Sequence, residues 1–431
     1  MKTNYIFLRS IFTLCVLLTV AGCKKSKDDP DPEPTPVPTL SVTPSILSFP
    51  GLGGTQALTV TTDAADWTVE TQAGWLTIVK AGATAVNVTA GTNTESDRNA
   101  VIRFEAGAST ASVSVSQGGI SATQADSVAL VALYNATAGV ASWTVKWGLS
   151  TPISQWKGVT VENGRVVELA LPSNNLSGAL PSAFGNLTRL RYLDLSGNSL
   201  SGDIPAVLNN LTELYYLDLS ANQLTGAAPD LTALTQLVML DLSGNALTAL
   251  PVLNSSLPVL EYLAASDNRL AGTLPAGWGA YTHLTYVDAS KNELTGSIPA
   301  EWSALTKLQV FYLYTNRLSD GIPDYVASFA DMESLALNHN DFTMSIPAGL
   351  GNLPKLAELW LAQNRMTGAI PASLSGNVHW GAWKDGVCPQ QSGYGFDNCT
   401  SSTAAALYVQ AMPPNRAAAY KAKLRKLRTK S

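Results

Sequence analysis

The amino-acid sequence predicts two folds in series: a small, immunoglobulin-like β-sandwich, then an α/β solenoid, a right-handed superhelix with a parallel β-sheet on its concave face. From Leu40 to about Gly119, short alternating apolar segments are separated by clusters of Gly, Asn, Asp and Pro, as in a sandwich. Beyond residue 120, a pattern of leucines and one asparagine recurs at nearly constant spacing, which indicates a repeat solenoid. With 46% hydrophobic residues, the 431-residue chain can build both cores.

Residues 1–22 have the features of a secretory signal peptide. Lys2 and Arg9 flank the start of an apolar run, Ile11 to Val20, that is too short for a permanent membrane span. The sequence Val-Ala-Gly before Cys23 resembles the lipobox of bacterial lipoproteins. That resemblance implies that Cys23 is the acylated mature N-terminus, anchored to the outer membrane. An ordinary secretory signal that happens to contain a cysteine is the alternative.

Residues 23–39 form a tether in which five prolines, from Pro30 to Pro38, alternate with acidic and small residues. Such a stretch buries no apolar area and stays extended. Its run Lys27-Asp28-Asp29 resembles the short export tag of some Bacteroidetes lipoproteins, which implies exposure at the cell surface. A solvated charged tether is the alternative.

Charge and cysteine content restrict the function and the compartment. The net charge of −5 becomes −7 once Lys2 and Arg9 leave with the signal peptide, so the chain lacks the basic field that nucleic-acid binding requires. Of four cysteines, Cys15 lies in the signal peptide and Cys23 is the lipidation site. Cys388 and Cys399 remain as a pair, which we expect to form a disulfide in an oxidising compartment.

Residues 40–119 resemble the BACON domain, a β-sandwich found in Bacteroidetes and associated with carbohydrate binding. The resemblance rests on Trp67 in DWTV, Trp75 in GWLTI, Arg98 in SDRNAVI and Gln117 in VSVSQGG. It suggests a glycan ligand. The two tryptophans are either sugar platforms or core residues, and a sandwich this small favours the core because it needs large apolar anchors.

Residues 164–377 contain nine copies of the pattern LxxLxLxxNxL, 23 or 24 residues apart, with asparagines at Asn174, Asn198, Asn222, Asn245, Asn268, Asn292, Asn316, Asn340 and Asn364. No single repeat can bury its leucine face, so neighbouring repeats must stack and share one core. We expect each asparagine to be interior, with its amide bonded to backbone groups of its own and the adjacent repeat.

The second half of each unit, as in LSGDIP and LTGSIP, resembles plant-type leucine-rich repeats. This resemblance implies a second short strand on the flank of the solenoid. Three repeats depart from this pattern, so we do not expect a regular flanking strand in them. One residue and the glycine are missing between Leu247 and Pro251, and in two later repeats Asp320 and Met344 replace the glycine.

Both ends of the repeats have candidate caps. In residues 120–163 we expect a helix from Ala125 to Tyr134 and a tryptophan-rich segment with Trp143, Trp147 and Trp156 that resembles the N-terminal cap of plant-type proteins. Residues 378–412, with Trp380, Trp383 and the cysteine pair, form the C-terminal cap. These tryptophans are interpreted as core residues, and the basic, helix-prone residues 413–431 as a solvated tail.

Catalytic patterns are absent from the sequence. The three histidines lie in different repeat or cap contexts, and no HExxH, GxSxG, CxxC, P-loop or Rossmann motif occurs. We therefore expect no enzyme activity, no cofactor and no metal site.

The candidate binding face is the concave side of the sheet, where the non-leucine strand positions point. One column contains Tyr192, Tyr216, Tyr262 and Tyr286, and the next contains several aspartates, among them Asp288. We expect an exposed aromatic cluster in the last three repeats, formed side by side by Tyr312, Tyr314, His339 and Trp360, because exposed Tyr and Trp dominate binding hot spots. Replacing Tyr312 and Trp360 by Ala is expected to weaken binding while leaving folding nearly intact. Sequence drift in these repeats is the alternative.

Two functions remain open. Leucine-rich repeats usually bind proteins or peptides, which predicts a surface receptor or adhesin. The BACON-like domain and the aromatic concave residues suggest instead a glycan-binding lipoprotein. A mere spacer would not need an aromatic cluster, and nearby acidic residues favour a basic or polyhydroxyl partner.

Overall fold

The computed structural model describes residues 37–93, 96–250, 257–397, 399 and 422. The predicted signal peptide, Cys23, nearly all of the tether and nearly all of the basic tail lie outside these residues. The described chain forms two compact units. One comprises the residues up to Gly91 together with Asp97–Gln117, and the other comprises the rest.

The first unit contains eight strands: β1 (Leu40–Thr43), β2 (Ile46–Phe49), β3 (Gly54–Thr62), β4 (Thr68–Thr71), β5 (Leu76–Lys80), β6 (Ala85–Ala90), β7 (Arg98–Ala106) and β8 (Ser109–Gln117). They form two four-stranded sheets, ordered β1-β3-β6-β5 and β2-β8-β7-β4. Alternate residues of both sheets, including Leu58, Val86, Ile102 and Val113, share one core, as the period-two pattern predicts.

The two tryptophans of the first unit have different environments. Trp67 is buried, and its indole nitrogen donates to the carbonyl of Ala83 at 2.8 Å. Trp75 is half-buried. Arg98 lies over the Trp75 ring at 4.4 Å and donates two hydrogen bonds to the side-chain oxygen of Gln117. The expectation that both are core residues therefore holds fully for Trp67 only.

The second unit begins with helix α1 (Ala122–Ala136), which is longer than predicted. Ser121 caps it: the Ser121 hydroxyl accepts from the backbone of Gln124, whose side chain accepts from the backbone of Ser121. After the helix in the chain come three buried tryptophans, Trp143, Trp147 and Trp156. The ring of Trp147 contacts the rings of both others. They are core residues of the cap, as predicted.

The solenoid strands, in chain order, are β9 (Val159–Glu162), β10 (Arg165–Ala170), β11 (Ser177–Gly178), β12 (Tyr192–Asp194), β13 (Ser199–Asp203), β14 (Tyr216–Asp218), β15 (Gln223–Thr225), β16 (Met239–Asp241), β17 (Tyr262–Ala264), β18 (Ala271–Thr273), β19 (Tyr286–Asp288), β20 (Glu293–Gly296), β21 (Val310–Tyr312), β22 (Arg317–Leu318), β23 (Ser334–Ala336), β24 (Glu358–Trp360), β25 (Thr367–Gly368) and β26 (Gly395–Phe396). The main sheet is ordered β24-β23-β21-β19-β17-β16-β14-β12-β10-β9. All its pairings are parallel except that of β9 with β10.

The repeat asparagines hold neighbouring turns together as predicted. In Asn198 the amide nitrogen donates to the carbonyls of Leu195, in its own repeat, and Leu171, in the preceding one. Its amide oxygen accepts from the backbone of Leu176 at 3.0 Å. The same arrangement recurs along the array, for example at Asn316 and Asn340. The leucines between them form one continuous core.

The flanking strands form two separate sheets, β11-β13-β15 and β18-β20-β22. At the shortened fourth repeat the described residues contain only a single bridge, between Ala227 and Ala249. In the two repeats with a replaced glycine, Asp320 and Met344 both adopt a φ of 64°. A side chain strains this left-handed region, which glycine occupies freely. β22 ends at Leu318, two residues before Asp320, and no strand is present at Met344 within the described chain.

The convex side consists mainly of 3₁₀ helices, each beginning directly after a proline of the repeat. They span Ser182–Asn186, Ala206–Asn210, Ala276–Ala280, Ala300–Ala304, Asp324–Ser328 and Ala348–Asn352, and a further one, Ile153–Gln155, lies in the N-terminal cap. Helices α2 (Ala372–Ser375) and α3 (Trp380–Val387) close the far end. There Trp383 is buried, and Cys388 and Cys399 form the predicted disulfide.

Candidate functional site

The main sheet has two chemically different faces, because successive side chains of a strand point to opposite sides. Leucines on one face belong to the core. On the other, concave face, the alternate residues form a second apolar cluster that is separate from that core. It contains Tyr192, Tyr216, Met239, Tyr262, Ala264, Tyr286, Val310, Tyr312, Tyr314 and Ala336.

The concave tyrosines stack on one another along the sheet. The ring centroids of Tyr192 and Tyr216 are 4.2 Å apart, and those of Tyr262 and Tyr286 are 4.3 Å apart, with nearly parallel planes. Their strands pair in register, with Met239 between the two pairs. The ring separations match the strand spacing of about 4.8 Å. The column is therefore a direct product of the repeat period.

The prediction that these tyrosines face solvent is wrong. Their exposed fractions are 2% for Tyr192, 0% for Tyr216 and Tyr262, and 1% for Tyr286. The predicted face is right, but rings at strand spacing cover each other's flat sides. Burial raises the pKa of the Tyr262 and Tyr286 hydroxyls well above the usual value, and the carboxylates of Asp241 and Asp288 respectively act in the same direction.

The predicted exposed cluster in the last three repeats is also wrong in part. Tyr312 and Tyr314 are 2% and 8% exposed and contact each other edge to face. His339 and Trp360 are half-buried. Tyr312 and Trp360 are not on neighbouring strands, because Ala336 pairs with both and lies between them. Tyr312, Tyr314 and Trp360 pack together in the concave cluster, whose aromatic surface is largely internal.

Three aspartates follow the tyrosine column in strict register: Asp194, Asp218 and Asp241, each at most 3% exposed. The carboxylate of Asp194 accepts from the backbone and hydroxyl of Ser196, the latter at 2.6 Å, and from the hydroxyl of Tyr192 at 3.4 Å. The other two have the same backbone contact and similar tyrosine contacts. Tyrosine and aspartate thus form a ladder along the concave face.

Asp288 continues the ladder in the sixth repeat. Its pKa is raised to about 6, mainly by burial; the hydrogen bonds from Ser290 oppose the shift, and the nearby Asp241 carboxylate adds to it. This carboxyl therefore titrates near neutral pH, where carboxyls ordinarily remain charged.

A polar chain at the C-terminal end of the face was not predicted from the sequence. Tyr312 shares a hydrogen bond of 2.9 Å with the Ser334 hydroxyl, which donates to Glu358 at 2.5 Å. Ser334 and Glu358 stand in the same register column as the tyrosines of earlier repeats. Asn338, which is 3% exposed, lies two residues after Ala336, at the position where Ser196 contacts Asp194. Among the described residues, no donor lies within hydrogen-bond distance of the Asn338 amide oxygen.

The concave face consists mainly of aromatic rings and carboxylates. In the described part of the chain, no group of three His, Cys, Asp or Glu side chains could hold a metal ion, and no helix is long and apolar enough to cross a membrane. Acidic and aromatic groups line a continuous sheet and include Glu168 and Glu358 at its two ends.

The first unit has a separate candidate site. A pocket of about 410 Å³ is lined by Glu70, Trp75, Asn99 and Arg103, among others. One face of the half-buried Trp75 ring is covered by Arg98.

Comparison with family models agrees with both units. A model of the leucine rich repeat family matches residues 165–224 and 212–270. A model of the BACON family, described as "Putative binding domain, N-terminal", matches residues 65–118. The chain thus has an N-terminal BACON domain followed by a leucine-rich-repeat solenoid.

The similar proteins include plant receptors. Over 73 residues the chain is 44% identical to "Probable inactive receptor kinase RLK902" of Arabidopsis thaliana, a match to 16% of this chain and 11% of that protein. The ectodomain of the Arabidopsis thaliana receptor kinase GASSHO1/SCHENGEN3, solved in complex with CASPARIAN STRIP INTEGRITY FACTOR 2, has a TM-score of 0.55 and 33% identity, covering 59% of this chain and 31% of that one.

The ectodomain of the Arabidopsis receptor kinase HAESA, solved with a peptide hormone ligand, has a TM-score of 0.51 and 29% identity over 60% of this chain and 44% of that one. In all three cases the chain spans less than half the length of the relative. The solenoid therefore resembles plant receptor ectodomains in fold.

Proposed function

We propose that this protein is a lipid-anchored receptor or adhesin of the outer membrane that binds a protein or peptide through the concave face of its repeats. The main support is the tyrosine and aspartate ladder on β12, β14, β16, β17 and β19, which forms an acidic floor about 20 Å long at a strand spacing of about 4.8 Å. Similarity to an ectodomain solved with a peptide hormone ligand supports the same kind of partner.

The chemistry of the face favours a basic, extended segment as partner. Buried tyrosines form its floor, so direct contacts come from carboxylates such as Asp288 and Glu358, and from the half-buried His339 and Trp360. Carboxylates form strong, charge-assisted hydrogen bonds with Lys and Arg side chains. The Asn338 amide oxygen adds an acceptor for an N–H group.

The test is a binding screen of the protein against surface proteins, peptides and glycans, followed by substitution. We expect Trp360→Ala combined with His339→Ala to weaken binding about 30-fold, which corresponds to roughly 2 kcal/mol for a hot spot. Tyr394→Ala is the matched control, because this aromatic residue is 46% exposed and lies in the C-terminal cap. Equal affinity of the double variant and the control would contradict the concave site.

Anchoring at Cys23 is a separate part of the proposal. Cys23→Ala should release the protein from membranes into the soluble fraction, since the variant has no cysteine to acylate. Protease added to intact cells should degrade the wild-type protein if it faces the medium. Resistance until the outer membrane is opened would place it in the periplasm instead.

A glycan-binding function of the first unit is the second candidate. The pocket beside Trp75 combines an aromatic ring with the polar side chains of Glu70, Asn99 and Arg103, a combination suited to a sugar. Trp75→Ala should then abolish binding on a glycan array, while the concave double variant binds normally. The opposite pattern would assign the glycan to the repeats.

A further inference from the structure

We propose that the outer face of the β2-β8-β7-β4 sheet in the first unit binds an internal stretch of a neutral glycan chain, which lies across the strands. This inference rests on the second candidate function, in which the pocket beside Trp75 binds a sugar, and it deepens that function by specifying how long the bound glycan is and how it lies. Two adjoining recesses in the sheet face support it.

The pocket beside Trp75 adjoins a second recess on the same sheet. This second recess has a volume of about 370 Å³, and its lining includes Ile46 of β2 and Ser114 of β8. Both recesses share residues 99–101 of β7. Together the two recesses form the sheet groove, which extends from Glu70 on β4 to Ile46 on β2.

The sheet groove spans the full width of its sheet. Glu70 and Ile46 line its two ends, and their strands, β4 and β2, are the two edge strands of the described sheet. Three strand intervals of about 4.8 Å give a width of about 14 Å, which exceeds the size of one sugar ring. Because both ends of the groove lie on edge strands, a bound chain can continue past either end.

The second recess alternates apolar and hydroxyl side chains. Ile46, Ser114 and Val101 stand in register on β2, β8 and β7. Ile46 is 66% exposed and Val101 is 48% exposed, so both present aliphatic surface to a ligand, and Ser114 between them is also exposed. A sugar ring has the same two kinds of surface, because its C–H faces are apolar and hydroxyls surround them. This row therefore matches successive rings of a sugar chain.

The β4 side of the groove places an acceptor next to a donor. Glu70 and Arg103 are paired in register on β4 and β7, and both are exposed. Within the described chain, neither side chain forms an ion pair or a hydrogen bond. A carboxylate only accepts hydrogen bonds and a guanidinium only donates them, whereas a hydroxyl does both. Neighbouring hydroxyls of one sugar can therefore bond to both side chains, and the opposite charges favour a neutral ligand.

The Trp75 ring is held in place before a ligand binds. Arg98 covers one face of the ring at 4.4 Å and donates to the side-chain oxygen of Gln117. The amide nitrogen of Gln117 donates to the carbonyls of Gly91 at 2.7 Å and Pro50 at 3.1 Å. A ring fixed in this way loses little conformational entropy on binding. Since the ring lines the first recess, it can pack against the C–H face of a sugar.

Affinity electrophoresis of the detergent-solubilised, full-length protein tests for binding, in gels that contain galactomannan, arabinoxylan, mixed-linkage β-glucan or starch. We expect at least one of these neutral polysaccharides to retard the wild type, and Trp75→Ala to migrate as it does without polysaccharide. If none retards the wild type, or if Trp75→Ala is retarded equally, the glycan-binding function of the first unit fails, and the sheet groove fails with it.

A matched pair of variants on β8 tests the groove separately from the pocket beside Trp75. Ser114→Leu fills the second recess from an exposed strand position. Thr110→Leu is the control, because Thr110 is exposed on the same face of β8 but outside both recesses. We expect Ser114→Leu to weaken binding of the retarding polysaccharide at least tenfold, and Thr110→Leu to bind as the wild type does. Equal affinities of the two variants would overturn the groove, while the sugar site at Trp75 would stand.

Calorimetry of the wild type tests the length of the ligand without any substitution, with oligosaccharides cut from the retarding polysaccharide. We expect the hexasaccharide to bind at least tenfold more tightly than the disaccharide, because only the longer chain fills both recesses. Reduction of its end to an alditol should leave the affinity unchanged, since the groove holds internal rings. Equal affinity of the two lengths, or loss of binding on reduction, would contradict a site that spans the sheet.

Discussion

The Arg165 guanidinium donates two hydrogen bonds to the Asp126 carboxylate, one of 2.9 Å from Nε and one of 3.0 Å from Nη2. Asp126 is completely buried in helix α1, and it also accepts from the backbone of Val166 at 2.7 Å. This pair connects the cap helix to β10, the first parallel strand of the main sheet. The carboxylate therefore holds the start of the solenoid in register with its cap.

Asp126→Ala should lower the free energy of unfolding by about 3 to 5 kcal/mol, because it leaves a partly buried guanidinium and a strand amide without their acceptor. Urea denaturation measures the change. Glu213→Ala is the control: Glu213 pairs with Arg189 and Arg191 near the surface, where such pairs contribute at most about 1 kcal/mol. A loss for Asp126→Ala no greater than that of the control would refute a structural role for this pair.

Asn340→Ala should unfold the array locally or destabilise it strongly. Its amide nitrogen donates to the carbonyls of Leu313 and Leu337, and its amide oxygen accepts from the backbone N–H of Leu318. Each of these buried groups that is left unpaired costs about 1 to 3 kcal/mol. Hydrogen exchange of the neighbouring backbone amides measures the effect. Asn352→Ala, at an exposed site in a convex 3₁₀ helix, should leave exchange unchanged. Equal protection in both variants would contradict the prediction.

The observed burial of Tyr312 reverses one expectation from the sequence. Tyr312→Ala should not leave folding intact but should cost about 3 to 5 kcal/mol, as large buried aromatics do. Tyr312→Phe keeps the ring and removes the hydroxyl that shares a hydrogen bond with Ser334, so it should cost about 1 kcal/mol. Thermal melting compares the two. Wild-type stability of the alanine variant would mean that this ring is exposed in solution.

The Asp288 carboxyl should make the protein less stable as the pH rises, whereas carboxyls with lowered pKa values have the opposite effect. Its folded pKa of about 6 lies above the ordinary 3.8, so the folded state binds its proton more tightly and loses stability as pH rises from about 4 to 7. The loss is at most about 3 kcal/mol. Urea denaturation at pH 4.5 and 7.5 should show the wild type losing stability relative to Asp288→Asn. A pH-independent difference between the two proteins would disprove the raised pKa.

The sequence predicted those features that the repeat period determines. Leu193 and Asn198 are interior because their positions recur in every unit. The predicted helix from Ala125 to Tyr134 is present as α1, but the observed helix begins earlier, directly after the Ser121 cap. Burial of Tyr216 was missed because periodicity specifies which face a side chain occupies, but not how far neighbouring rings cover it.

The polar chain of Tyr312, Ser334 and Glu358 was missed for a different reason. It depends on three residues that depart from the repeat consensus in different ways, and their contact becomes evident only in the register of β21, β23 and β24. Asn338 departs visibly from the serine of most repeats, but the sequence does not show that, among the described residues, its amide oxygen is buried without a donor.

At the fourth repeat the flanking side of the solenoid has no strand within the described chain, yet its backbone hydrogen bonds to both neighbouring repeats continue. In a solenoid, stability is a sum of repeat energies and nearest-neighbour couplings. Between β15 and β18 the described chain retains the main sheet, the leucine core and flanking backbone hydrogen bonds, in which Thr248 donates to Gly226 and Ala271 donates to Thr248. Because the fourth repeat is hydrogen-bonded to both neighbours on the flanking side and shares the same core, local opening there would expose the leucines of the repeats on either side, so the nine repeats depend on one another as a single array.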